Sequence, residues 1–76
     1  MSLWAITEEK RIAALAAENA YWIMMERNRA RVAKGDRSLV GPLDEARRHF
    51  VALEIEYVQA TKAAVDSGEP HPEDAT

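Results

Sequence analysis

The stretch Ile12–Met25 reads IAALAAENAYWIMM and decides the fold. Only Glu18 and Asn19 are plainly polar within it, and neither glycine nor proline interrupts it. Its alanine, leucine and methionine are strong helix formers. Placed at about 100° per residue, the stretch has two apolar sides. Ile12, Leu15, Ala16, Trp22 and Ile23 form the main one, with Asn19 at its centre. Ala14, Ala17, Tyr21, Met24 and Met25 form a second, roughly opposite. A surface helix needs one buried stripe, whereas a helix apolar on several sides needs several neighbours. One short chain cannot supply them all, so self-association or a partner helix is expected.

Outward from this stretch, Thr7 is a good N-cap with Glu8 and Glu9 behind it, and Ser2 is an acceptable earlier one. The main face runs from Trp4 through Glu8, Glu26 and Ala30 to Ala33, and Gly35 suits the position just past a helix end. Helix one is therefore expected over about 7–34. The connection 35–41, GDRSLVG, carries turn residues together with Leu39 and Val40, which could cover the end of a bundle. Pro42 suits a first helical position, followed by Asp44 and Glu45. Helix two is expected over about 42–66, stopped by Ser67-Gly68. Its stripe, Leu43, Ala46, Phe50, Leu53, Tyr57, Ala60 and Ala64, follows steps of three and four, with Val58 and Val65 widening it and Val51 and Ile55 toward its edge. The predicted fold is all-α: an antiparallel two-helix hairpin over 1–68, completed as a four-helix bundle by homodimerisation. The acidic tail 69–76, rich in proline, is expected to be disordered.

Seventy-six residues without cysteine leave no disulfide or thiolate site to support a fold of this size. Oligomerisation is the remaining support. The opening MSLWAITEEKR lacks a basic segment followed by an unbroken apolar run, and Ile12–Met25 is too short and interrupted to span a bilayer. A soluble, cytoplasmic protein is expected.

Net charge is −3, unevenly spread: residues 27–48 hold seven basic side chains against three acidic ones, while both ends are acidic. Closing the hairpin gathers Arg27, Arg29, Arg31, Arg37, Arg47 and Arg48 at one pole. Such a pole can neutralise phosphates, but no aromatic is interleaved to stack bases, and arginine also suits a helix C-terminus.

Asn19, alone on an apolar face, reads as a register-setting residue paired with its own counterpart. Tyr21, Trp22, Met24 and Met25 read as an adaptable contact patch; with Ala14, Ala17 and Asn19 they form the expected protein interface. Glu8, Glu26 and Glu54 lie on inward faces, but the Glu-x-x-His motif of di-iron bundles is missing, and Glu45 with His49 points outward. No metal, cofactor, phosphate loop or nucleophilic triad is expected. The sequence predicts a non-enzymatic interaction module that binds itself and another protein, acting as adaptor, inhibitor or assembly component. A nucleic-acid-binding regulator using the arginine pole is the alternative.

Overall fold

The computed structural model describes residues 2–73. Helix α1 spans Leu3–Arg27, α2 spans Arg29–Ala33, a single 3₁₀ turn covers Arg37–Leu39, and α3 spans Val40–Asp66; no strand occurs among the described residues. The chain is an all-α hairpin of two long helices with a short link, measuring 52 × 20 × 16 Å. No helix among the described residues is long and apolar enough to cross a membrane.

Helix α1 begins earlier than Thr7 suggests. Ser2 is the cap, its hydroxyl accepting from the Ala5 N–H at 3.0 Å. That leaves Thr7 inside the helix, where it is buried and donates to the Leu3 carbonyl at 2.8 Å, the backbone partner a buried hydroxyl needs. The helix falters at Asn28 (φ −110°, ψ 16°), whose side-chain amide donates back to the Met24 carbonyl at 2.9 Å. The bonds Asn28 N–H to Met24 and Val32 N–H to Asn28 carry the winding across the irregularity, so α2 continues α1. Gly35 then takes φ +74°. Its N–H donates to Val32 and that of Asp36 to Arg31, a Schellman closure that a Cβ would strain.

Asp36 organises the link. Its carboxylate accepts from the Ser38 N–H (2.9 Å), the Ser38 hydroxyl (2.6 Å) and the Arg31 guanidinium (3.0 Å). Of the two apolar link residues, Leu39 is buried under the hairpin end and Val40 is 63% exposed. Helix α3 starts at Val40, two residues before Pro42; proline is still tolerated there because first-turn N–H groups have no helical partner.

The inner stripe of α3 is the expected one: Leu43, Ala46, Phe50, Leu53, Tyr57 and Ala60 are half-buried and Ala64 is fully buried. On α1 the two apolar sides exchange the roles expected of them. The side turned to α3 is Leu3, Thr7, Lys10, Ala14, Ala17, Tyr21, Met24 and Asn28, stepping by four and three, every member buried or half-buried. Tyr21 lies against Phe50 with ring centroids 5.1 Å apart, and Lys10 crosses to Glu56 at 3.1 Å. The side read as the main face stays in the open: Ile12 is 55%, Leu15 48%, Trp22 55% and Ile23 52% exposed. Size is the reason. Helix α3 presents Phe50, Leu53 and Tyr57, and bulky side chains pack against alanines more readily than against isoleucine, leucine and tryptophan.

Residues 69–73, expected to be disordered, are seated on the start of α1. The Trp4 indole N–H donates to the Glu69 carbonyl at 2.8 Å, and the Leu3 N–H, free at a helix start, donates to the Glu69 carboxylate at 3.1 Å. His71 meets Trp4 edge-on at 4.8 Å. An aromatic donor and a helix-start N–H that the Ser2 cap leaves unbonded supply what composition alone did not show. The remainder of the predicted disordered tail, 74–76, lies outside the described residues.

The interior is small: Ala14, Ala64, Leu39 and Thr7 are the buried residues among those described, and none of them is a large side chain fully enclosed. Ala64→Leu, which has no room to fit, should lower the unfolding free energy by about 1–3 kcal/mol in urea titrations.

Candidate interaction surface

Two apolar stripes remain outside. On α1 they are Ile12, Leu15, Trp22 and Ile23; on α3, Val51, Ile55, Val58 and Val65, from 36% to 63% exposed. Both lie about 120° or more round their helix from the inner stripe. They meet on one broad side of the hairpin. Leu15 and Glu18 of α1 share a groove with Glu54 and Tyr57 of α3. Val51, Glu54, Ile55 and Val58 form the hollow beside it. Trp22, Met25, Glu26 and Arg29 continue the surface toward the link. Monomeric proteins rarely leave an apolar patch of this extent uncovered.

The expected interface residues divide between inside and outside. Ala14, Ala17, Tyr21 and Met24 are buried or half-buried in the hairpin, Trp22 and Asn19 are on the open side, and the half-buried Met25 lies at the border beside Trp22. Tyr21 touches both sets, its ring 5.2 Å from Trp22. The α3 members of the open face had a legible signal, since Val51, Ile55, Val58 and Val65 recur by four, three and seven. On a helix wheel these residues fall at the margin of the inner stripe, and a wheel cannot separate one broad stripe from two.

The arginines encircle the link rather than line one face. Arg31 holds Asp36 at 3.0 Å and bonds to Asn28 and Ser38. Arg47 and Arg48 share the Asp44 carboxylate at 3.2 and 2.8 Å, and Arg29 approaches Glu26 at 3.7 Å. Among the described residues Arg27 and Arg37 pair with no carboxylate, and both are exposed. Of the carboxylates expected on inward faces, Glu8 and Glu26 are exposed instead; Glu8 is bound twice by Arg11, at 2.6 and 2.9 Å, which holds its carboxyl below the ordinary range and raises the guanidinium of Arg11. Among the described residues, no three histidine, aspartate or glutamate side chains are grouped to hold a metal ion.

Beside the tail, Trp4, Thr7, Tyr57, Thr61, His71 and Pro72 enclose an open depression. The Thr7 and Thr61 hydroxyls are both spent on backbone carbonyls of their own helices, while the Glu8–Arg11 pair and Glu73 also line it.

Comparison of the chain with protein-family models, with curated proteins and with solved structures finds no match. Its surfaces are the available guide to function.

Asp36 has a measurable signature. Hydrogen bonds from the Ser38 hydroxyl, the Ser38 N–H and Arg31 lower its carboxyl from 3.8 to about 2. A lowered pKa means the carboxylate stabilises the link above the ordinary value and loses that role as pH falls through about 2. The Ser38 amide resonance, followed by NMR, should therefore titrate near pH 2 and not near 4.

Proposed function

We propose that this chain is a non-enzymatic helical interaction module that self-associates as a homodimeric four-helix bundle. Through its remaining helix surfaces it then serves another protein as adaptor, inhibitor or assembly component. The observation that carries this reading is the continuous open face built from Leu15, Trp22, Val51, Ile55 and Val58. Total accessible area supports it: 5738 Å² against about 4,700 Å² for a globular monomer of this mass. The excess of about 1,000 Å² compares with about 800 Å² per partner in a standard stable interface. A cytoplasmic setting belongs to the same reading and agrees with a chain that has no cysteine.

Light scattering over a concentration series tests it, with twice the monomer mass expected. Trp22→Glu should return the mass to that of a monomer while leaving the circular-dichroism helix signal intact. A wild-type chain that stays monomeric throughout would overturn self-association. Tyr21→Ala should behave differently. It removes the ring packed on Phe50, costing about 2–3 kcal/mol of hairpin stability, so helix content and assembly fall together in a thermal melt.

The nucleic-acid reading rests on Arg27 and Arg37, because the other four pole arginines are engaged with Glu26, Asp36 and Asp44. It requires RNA or DNA binding at low salt that declines steeply with added salt and with Arg27→Ala plus Arg37→Ala. Absence of binding at low salt removes it.

A further inference from the structure

We infer that the second copy covers the open face with its α1 antiparallel to the first α1, so that each link lies over the other chain's open end. The inference deepens the self-association reading and rests on it. Its basis is a symmetry in the outer stripe of α1 and α2. Glu8, Arg11 and Leu15 stand on one side of the point between Glu18 and Asn19, and Trp22, Glu26 and Arg29 stand on the other at matching separations. All six are exposed. Laid on a reversed copy of itself about that point, the stripe sets Leu15 against Trp22 of the second copy, Arg11 against its Glu26 and Glu8 against its Arg29. Both charged contacts among these six residues are between opposite signs, while Glu18, in the groove shared with Glu54, lies beside the axis near its own counterpart. Within one chain Arg11 already holds Glu8 and Arg29 approaches Glu26. The antiparallel arrangement joins these two pairs into a closed ring of four alternating charges at each end of the contact, and networks of this kind set orientation.

Helix α3 and the whole-chain charge agree. Because Tyr21 is level with Phe50, the same axis crosses α3 near Leu53. Val51 then comes level with Ile55 of the second copy, and Asp44 with its Lys62. The half of the hairpin that contains the link, residues 18–53, carries seven basic and five acidic side chains, a net +2. The described residues of the other half carry three basic and seven acidic, a net −4. Antiparallel association puts unlike halves together; association with both links at one end puts like on like.

The chain contains no cysteine, so introduced thiols are unambiguous. Chains bearing Glu8→Cys and chains bearing Arg29→Cys, mixed and oxidised, should form a disulfide-linked dimer, and neither should do so alone. With the links at one end the two positions lie about 30 Å apart along the helices, far beyond the about 7 Å a disulfide spans. As a second measurement, Glu8→Arg should weaken the dimer about tenfold, and adding Arg29→Glu should restore it. In that double variant the pairs with Arg11 and Glu26 remain broken, so recovery arises only between chains. A dimer that neither cross-links in the mixture nor recovers in the double variant overturns the antiparallel register and leaves self-association standing. A chain that light scattering finds monomeric overturns both.

Discussion

Everything in this molecule depends on the contact between the alanine-rich side of α1 and the bulky stripe of α3. Ala14 and Ala17 let Phe50, Leu53 and Tyr57 lie close, and Tyr21 fills the space toward the link. Two helices in one layer enclose very little, since each side chain between them still reaches solvent above or below the plane. Accordingly the buried residues among those described are two alanines, a threonine and one leucine. The hydrophobic term available to a single chain is correspondingly small, and the large apolar side chains that could enlarge it stand on the outside.

The ends of the hairpin are closed by polar chemistry instead. At the link, Asp36 satisfies two donors of Ser38 and anchors Arg31, while Gly35 and Asp36 cap the last carbonyls of α2. At the open end, Glu69 accepts from both the Trp4 indole and the Leu3 backbone. The bonds at the link are local and exposed, whereas those at the open end are part-buried and join the two ends of the chain; each is of modest net value. Their effect is to fix the relative level of the two helices, and with it which outer residues stand side by side.

That level is what turns two stripes into one surface. Leu15 and Trp22 belong to α1 and Val51, Ile55 and Val58 to α3, yet the shared groove at Glu18 and Glu54 makes them a single face. The arginines contribute less to a common surface than their number implies. Asp44 and Asp36 take up three of them and Glu26 a fourth. A protein built this way presents apolar area and patterned charge, the materials of a helix-to-helix interface.

The amino-acid sequence by itself determined two long helices, the glycine closures at Gly35 and Gly68 with their positive φ, and the inner stripe of α3, because these depend on local propensity and on a single dominant apolar period. It also determined that α1 is apolar on two sides. Which side turns inward was decided only in the tertiary structure, for it depends on the sizes of side chains far along the chain on α3, as Phe50 is from Tyr21, and not on α1 itself. The seating of residues 69–73 has the same origin: proline and acid content describe a segment without a core, but the Trp4 indole and the open helix start that receive it are brought there only when the hairpin closes.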